Sequence, residues 1–256
     1  MEYKFWFFVD GEFGKINPFS LLNSDVEHYL LNLSKGKSKP KPREYEDLVL
    51  LNLVKDDKIN FPLFSTEDKQ VIFKYGGRIA EGIVKVTKRR LKDIRTDKQN
   101  LFAILGYYCI DIGTLDELEK RGMLIREEKR DGGKFNCWGI EDFESEEFNL
   151  GTDHFVNDVK LVCFGKTGER PSRPEFKLIK KELKPVLDKV LKEIVDEMEK
   201  INFSEYEKTQ PYNNGIPLYK SIDAFYHVGI DLAIKQLIKE KIILSPEKGF
   251  VCWEEI

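Results

Sequence analysis

Two carboxylates near the amino terminus could hold metal ions for chemistry on a phosphodiester. Asp10 and Glu12 flank a glycine at the end of an apolar run, and carboxylate-bound metal ions can clamp the attacking and leaving oxygens of such a reaction. A site of this kind needs further ligands, of which His154 and Asp158 are the nearest candidates. However, Asp-Gly between apolar runs is typical of a hairpin turn, because the central positions of that turn need positive φ. We therefore expect Asp10 and Glu12 to flank a turn, far from Asp158.

Two short motifs resemble nuclease patterns. Asp10-Gly-Glu12 faintly resembles the Asp-x-Glu of two-metal exonucleases, but the spacing of His154 and Asp158 is one residue short for that family. Glu175-Phe176-Lys177 is similar to the Glu-x-Lys triplet of another nuclease class, with Asp158 as its upstream partner. That triplet belongs on a strand, whereas here it begins the longest predicted helix, where an acidic residue suits the positive end of the helix dipole. We assign no catalytic residue, no metal and no cofactor.

The cysteines and histidines argue against a zinc site. The chain has only three histidines, and its four cysteines, which contain no Cys-x-x-Cys pair, are Cys109, Cys137, Cys163 and Cys252. Widely spaced cysteines without such pairs are typical of proteins in a reducing compartment. The first residues lack the basic start and cleavage site of a secretory signal, and no apolar run approaches the roughly 18 residues of a membrane span. We therefore expect a cytoplasmic protein with no membrane partner.

Basic residues cluster locally, although the net charge of −3 excludes a globally basic surface for nucleic acid. A stripe at helical spacing consists of Lys85, Lys88, Arg89, Lys92 and Arg95. A hairpin tip carries Arg126, Lys129, Arg130 and Lys134. Residues 35–43 add five positive charges on a segment whose prolines predict an exposed, flexible arm. The three clusters favour phosphate contacts, and the alternative is a solvated surface balanced by neighbouring acids.

Two stretches 119 residues apart repeat one unit, a short amphipathic helix that runs into a hairpin. The matched residues are Leu118, Lys120, Phe135, Cys137 and Trp138 in the first copy and Leu237, Lys239, Phe250, Cys252 and Trp253 in the second. In the first copy Gly122 supplies the left-handed position that ends a helix. We predict that both tryptophans lie on the second strand of a hairpin, beside a helix packed by Leu118 or Leu237.

The repeated unit resembles the second half of a winged helix-turn-helix, in which a recognition helix runs into a two-stranded wing. The resemblance covers about residues 98–141 and 219–256 and implies binding to nucleic acid or protein. In the first copy, Asp116 and Glu117 stand at the start of the helix, where phosphates would repel them. The second copy lacks the glycine cap but offers side chains suited to nucleic acid at His227, Lys235, Gln236 and Lys239.

The element pattern predicts a mostly helical α+β fold, with two winged-helix-like units linked by a long helix. Residues 18–33, 44–54 and 78–94 have helical spacing, Gly76-Gly77 predicts a break, and residues 159–164 predict a strand. The long helix is predicted over residues 176–202. The predicted divisions are a hairpin with a helical region (1–97), the first winged unit (98–143), a connector with the strand and long helix (144–217), and the second winged unit (218–256).

These features predict a non-enzymatic protein that binds DNA or RNA, or that organises a nucleoprotein complex in transcription, replication or mobile-element biology. The alternative is a protein-interaction scaffold whose winged units dock partners. A metal-dependent nuclease is the third hypothesis.

Overall fold

The computed structural model describes residues 5–12, 14–21, 23–37, 40–93, 113–142, 152–156, 159–164, 176–177, 184–243 and 250–253. The fold is a mixed α+β fold in which helices hold more residues than strands, so the predicted mostly helical α+β class is confirmed. The chain divides into two compact units. The first comprises Met1–Lys74, Glu119–Ser145 and Phe203–Phe225, and the second comprises Tyr75–Leu118, Glu146–Asn202 and Tyr226–Ile256.

The α-helices of the described chain are α1 (Ser24–Ser34), α2 (Tyr45–Leu50), α3 (Lys69–Arg90), α4 (Thr114–Lys120), α5 (Lys184–Met198), α6 (Gln210–Asn213) and α7 (Leu218–Lys239). Short 3-10 helices cover Pro18–Leu21, Leu91–Asp93 and Ser204–Lys208. The strands are β1 (Phe5–Glu12), β2 (Val54–Lys55), β3 (Lys58–Ile59), β4 (Leu63–Phe64), β5 (Glu127–Glu128), β6 (Lys134–Glu141), β7 (Thr152–Val156), β8 (Val159–Phe164), β9 (Phe176–Lys177) and β10 (Phe250–Trp253).

A four-stranded sheet organises the first unit around β6. This strand pairs antiparallel with β1 and β5 and parallel with β4. Cys137 and Trp138 of β6 are buried. The core that contains Cys137 also includes apolar side chains of α1, α2 and the short strands, among them Val26, Leu30, Leu48, Leu51, Val54 and Leu63. The first copy of the repeat therefore contributes its hairpin to the core of this unit.

Strand β1 runs through Asp10-Gly11 without a turn, so the predicted hairpin is wrong. In the register of the sheet, Asp10 lies opposite Asn136 and Gly11 opposite Phe135. The eight residues of β6 offer backbone partners along the whole of β1, and this long ladder satisfies more peptide groups than a two-residue turn would. The turn preference of Asp-Gly is local, and the distant strand overrides it.

The helices near the amino terminus agree with their predicted spacing. A 3-10 turn and α1 occupy the region predicted over 18–33, and α2 lies within 44–54. Asn23 begins α1 because its Oδ1 accepts hydrogen bonds from the backbone N–H groups of Asp25 and Val26, at 3.1 and 3.0 Å. The helix ends at Lys35, whose N–H donates to the carbonyl of Asn32, and Gly36, whose N–H donates to that of Leu33, follows with a left-handed φ of 67°.

Helix α3 continues through Gly76-Gly77, where the sequence predicted a break. Within the second unit, a Cβ atom added to Gly76 would lie 2.5 Å from Val228 Cγ1, and one added to Gly229 would lie 2.5 Å from Ile79 Cγ2. Segments of α3 and α7 therefore approach so closely that a side chain at Gly76 or Gly229 would clash. Glycine is present at Gly76 for this contact, and packing offsets its low helix propensity.

The helix predicted over 176–202 is wrong in its first part. Phe176–Lys177 forms β9, and α5 begins only at Lys184. In the second unit, β9 pairs in parallel with β10 in the sheet β7-β8-β10-β9. Helical spacing did not reveal this pairing, because the partner strand lies more than 70 residues away. Strand β8 confirms the predicted strand, and the stripe of α5 is buried at Leu187, Val190, Leu191, Ile194 and Met198.

The repeat is confirmed in part. Leu118 and Leu237 are fully buried, and Gly122 has the expected left-handed φ of 73°. Trp138 lies on β6, the second strand of the β5–β6 hairpin. Trp253 lies on β10, whose described partners are β8 and β9. Both edges of β10 are occupied at Trp253, by β8 and β9, so no edge is left there for the predicted hairpin partner, and the second wing is not confirmed.

Candidate nucleic-acid interface

The predicted basic residues fall into two groups that belong to different units. The group in the second unit consists of Lys85, Lys88 and Arg89 on α3, Lys92 in the 3-10 turn that follows, and Lys235 and Lys239 on α7. The group in the first unit is the hairpin set Arg126, Lys129, Arg130 and Lys134. Arg95 lies outside the described residues.

The basic side chains of α3 meet carboxylates of α5 within the second unit. Lys85 Nζ lies 2.9 Å from Glu197 Oε2, and Arg89 Nη2 lies 2.8 Å from Glu193 Oε2. Glu193 and Glu197 are one helical turn apart on α5, so they form a short acidic row opposite the basic row. The predicted stripe is therefore partly neutralised by neighbouring acids.

Glu193 also binds Arg90, a residue that the stripe of residues three and four apart did not include. Arg90 donates from Nε to Glu193 Oε2 at 2.9 Å and from Nη2 to Oε1. The hydrogen bond from Arg90 holds the pKa of the Glu193 carboxyl below its usual range, and Arg89 adds to this effect. Glu193 is thus ionised at neutral pH and shared by two guanidinium groups.

The end of α3 contacts the second copy of the repeat. Lys88 Nζ lies 2.5 Å from Oε2 of Glu240, the residue that follows α7. Glu240 also accepts a hydrogen bond from Gln236 at 3.0 Å. Lys235 pairs with Asp231 one turn earlier at 2.6 Å, and Lys239 is exposed. Residues that the sequence placed in separate clusters therefore share one surface of the second unit.

His227, which the sequence offered as a side chain of the second copy suited to nucleic acid, is buried. Only 3% of His227 is exposed, because the middle of α7, Ser221–Ile230, is buried on all sides. The expected contact of His227 with nucleic acid is therefore wrong, and the end of α7 carries the accessible polar residues.

The tip of the β5–β6 hairpin in the first copy does not carry a cluster of exposed basic side chains. Arg126 donates from Nε to Glu119 Oε2 at 3.0 Å and is mostly covered. Lys129 turns inward, with 8% of its side chain exposed, and burial lowers its pKa. Arg130 is exposed, as is the acidic Asp116 of α4, and the side chain of Lys134 lies outside the described residues. The predicted cluster is therefore dispersed in this unit.

The basic arm is anchored at two of its lysines. Lys35 Nζ lies 2.5 Å from Glu141 Oε1. Lys41 Nζ lies 2.9 Å from Asp57 Oδ1 and 3.8 Å from the centre of the Tyr45 ring, a cation–π contact. Tyr45 in turn donates to Asp57 at 2.6 Å. Lys35 and Lys41 are exposed, as predicted, but each side chain is held by a carboxylate of the first unit.

The carboxylates that bind the α3 cations are the residues that sequence reasoning missed. Glu193, Glu197 and Glu240 are more than a hundred positions from their partners on α3. The spacing of Glu193 and Glu197 on the polar face of an amphipathic helix was visible in the sequence, but nothing there indicated which helix faces them.

The catalytic candidates do not assemble into a site within the described chain. Asp10 lies inside β1, and Asp158 and Glu175 lie outside the described residues. Phe176 and Lys177 are on a strand, as the Glu-x-Lys pattern requires, so the objection that this triplet begins a helix is removed. Among the residues described, no group of three His, Cys, Asp or Glu side chains is placed to bind a metal ion, and no helix has both the length and the apolar character to cross a membrane.

No family model, curated protein or solved structure matches the chain. Function is therefore inferred from the residues and their contacts.

Proposed function

We propose that this protein binds nucleic acid without catalysis, as a component of nucleoprotein complexes, through a surface of the second unit. This surface, called the basic face, consists of Lys85, Lys88, Arg89, Lys92, Lys235 and Lys239. The contact of Lys88 with Glu240 at 2.5 Å carries the proposal, because it joins the end of α3 to the end of α7. Two basic groups on one surface can contact phosphates together, whereas separate groups cannot.

The exposure of the cations supports this proposal. The side chains of Lys85, Lys88 and Arg89 are 60%, 44% and 47% exposed. Exposed ion pairs are worth only about 0.2–1 kcal/mol each, so phosphates can replace the carboxylate partners. Residues 85–92 contain five basic and no acidic side chains. They exceed by one the four carboxylates that contact them, which are Asp93, Glu193, Glu197 and Glu240.

The expected mode of binding is electrostatic and mainly non-specific. Flexible lysine and arginine side chains at the end of a helix can contact phosphates. Such contacts position the protein on the nucleic acid without reading its base sequence. The buried centre of α7 leaves few side chains to read base edges. In this proposal the first copy of the repeat, with its inward Lys129, has a structural role.

A protein-interaction scaffold is the second candidate, and the same ion pairs favour it. If Glu193 and Glu197 keep their cations, the face carries alternating charges and little net potential. A protein partner with complementary mixed charges then fits better than a polyanion.

The test is the affinity of the full chain for a random duplex and for a single strand as a function of salt concentration. Each neutralised phosphate steepens the slope of log affinity against log salt by about 0.9. The double variant Arg89→Ala/Lys92→Ala should therefore bind more weakly and flatten the slope by roughly 1–2 units. Its effect on folding should stay within about 0.5 kcal/mol, as is usual for surface substitutions.

The control is Lys55→Ala/Lys58→Ala, which removes two exposed positive charges from the β2–β3 hairpin of the first unit. This variant should retain the wild-type slope. Equal losses in both double variants would show that only net charge matters and would contradict a defined basic face. Failure of the wild-type chain to bind either nucleic acid at low salt would give first place to the scaffold.

A further inference from the structure

Helices α3 and α7 run parallel and side by side in the second unit. A Cβ atom added to Gly76 of α3 would lie 2.5 Å from Val228 Cγ1 of α7. Farther along both segments, Lys88 Nζ lies 2.5 Å from Glu240 Oε2. The same number of residues separates the two contacts on each segment, and it corresponds to about 18 Å along a helix. Because both segments advance equally and in the same direction, the carboxyl ends of the two helices lie at one level.

Lysines of the two helices point to the same side of this pair. In an α-helix each residue is rotated by about 100° from the one before it. Measured from Gly76, which faces α7, Lys88 lies about 120° round α3. Measured from Gly229, which faces α3 in turn, Lys235 and Lys239 lie about 120° and 80° round α7 in the opposite sense. Opposite rotations on two parallel helices that face each other lead to the same side, so these lysines share one surface.

Burial agrees with this arrangement and defines two rows of cations. Val86 of α3 and Leu237 of α7, which the same rotation places on the opposite side, are fully buried. The exposed residues are Lys85 and Lys88, called the α3 row, and Lys235 and Lys239, called the α7 row. Packed helices have axes about 8–10 Å apart, so the two rows are separated by roughly 10 Å.

Carboxylates hold three of these four lysines in place. Lys85 pairs with Glu197, Lys88 with Glu240, and Lys235 with Asp231. The three lysine side chains are between 44% and 60% exposed. Pairs of this kind are worth only about 0.2–1 kcal/mol each, so phosphates can replace the carboxylates. The positions of the two rows are set by the packing of the helices and do not depend on these pairs.

We propose that the basic face binds double-stranded nucleic acid across a groove, with the α3 row on the phosphates of one strand and the α7 row on those of the other. This inference rests on the proposed function and names the class of nucleic acid. A duplex presents phosphates along both edges of a groove that is roughly 6–12 Å wide, and two parallel rows of cations at a similar separation match this pattern. A single strand offers one line of phosphates and therefore contacts one row.

The test measures how salt changes the affinity of the full chain for a short random DNA duplex and for one of its strands. Each phosphate contact steepens the slope of log affinity against log salt by about 0.9 on a duplex and about 0.7 on a single strand. If both rows contact the duplex and one row contacts the single strand, the duplex slope should be steeper by about 2 units. We also expect the duplex to bind more tightly than the single strand at low salt.

Two double variants each remove one row, Lys85→Ala/Lys88→Ala on α3 and Lys235→Ala/Lys239→Ala on α7. Each should flatten the duplex slope by roughly 1–2 units, and the two effects should add, because both rows contact phosphates at the same time. On the single strand, either variant alone should have a smaller effect, since the other row can take its place. Urea unfolding of both variants should match the wild type, which shows that a loss of binding does not come from unfolding.

The control Lys55→Ala/Lys58→Ala removes the same charge from the first unit and should keep both slopes of the wild type. Equal slopes and affinities for duplex and single strand, or a loss from only one of the two row variants, would overturn binding across a groove and leave the proposed function in place. Failure of the wild-type chain to bind either form of DNA at low salt would overturn both.

Discussion

Gly122 and Lys241, 119 positions apart, hold the same left-handed backbone conformation at the ends of two helices. Their φ angles are 73° and 56°. Each N–H donates to the carbonyl three residues earlier, Glu119 or Ile238, at 2.9 Å. The residues two positions later, Leu124 and Ile243, are both fully buried. The helix of the second copy therefore ends in the same backbone conformation as that of the first, although it has lysine in place of glycine. The two copies are thus similar in backbone conformation at this position as well as in sequence.

Separate substitutions at Lys241 and Gly122 should have opposite effects on the free energy of unfolding. Lys241→Gly relieves a left-handed conformation that is costly for any side chain with a Cβ, so we expect a gain of about 0.5–1 kcal/mol. Gly122→Ala imposes that cost and should lose at least about 1 kcal/mol. Urea unfolding of both variants measures the difference. Stabilisation by Gly122→Ala would contradict the assignment of this position.

The adjacent glycines of α3 form a matched pair for a second prediction. A Cβ atom at Gly76 would meet Val228 Cγ1 at 2.5 Å, whereas one at Gly77 would meet nothing within 4 Å. Gly76→Ala should therefore destabilise the chain by about 1–3 kcal/mol through overpacking. Gly77→Ala should stabilise it by about 1 kcal/mol through helix propensity. Chemical denaturation gives both values, and equal effects would show that α3 and α7 are not in close contact at Gly76.

A third prediction concerns the hydrogen bond from Trp138 Nε1 to Asp223 Oδ2, which is 3.1 Å long and fully buried. Trp138→Phe keeps an aromatic ring but removes the donor, so the buried carboxylate loses a hydrogen bond. We expect a loss of about 1–3 kcal/mol from this group, in addition to the effect of the smaller ring.

The double variant Trp138→Phe/Asp223→Leu separates these two contributions. If the hydrogen bond matters, Asp223→Leu should cost less in the Trp138→Phe background than in the wild type, because the unsatisfied carboxylate is gone. Additive effects of the two substitutions would show that the indole and the carboxylate are not energetically coupled.

A fourth prediction follows from the environment of Cys137. Its side chain is buried, and burial raises the pKa of the thiol. Only the thiolate reacts with alkylating agents, so iodoacetamide should leave Cys137 unlabelled in the folded chain even at pH 8–9. Labelling should become rapid in urea, and peptide mass spectrometry identifies the modified residue. Rapid labelling of Cys137 in the native chain would show that β6 opens readily.

Local signals in the sequence predicted the parts of the fold that depend on neighbouring residues. Gly122 ends α4, and the apolar spacing of α5 selects its buried side. Asp10-Gly11 and Gly76-Gly77 carried equally clear local signals, yet the predictions failed because distant partners decide both positions. β6 pairs with β1 across Asp10-Gly11, and Val228 requires a small residue at Gly76.

In the candidate interface, too, local spacing predicted some features, and tertiary packing decides the others. The sequence identified the cations on α3 by their spacing, because a helix fixes which of its own residues share a face. It could not identify Glu193 as the partner of Arg89, since the facing of two helices depends on tertiary packing. The inward position of Lys129 was also hidden, because a charged residue in a turn normally faces solvent.

The most direct test of the basic face is the affinity for random duplex DNA of Glu193→Gln compared with the wild type. Glu193 competes with phosphates for Arg89, whose side chain is 47% exposed, and one such ion pair at about 0.2–1 kcal/mol corresponds to a roughly 1.4- to 5-fold gain in affinity when Glu193 is neutralised. The control Glu205→Gln removes the same charge beside Lys74 in the first unit and should change the affinity little. A gain for Glu193→Gln alone is the result we expect, and an unchanged or equal affinity in the two variants would contradict the proposed surface.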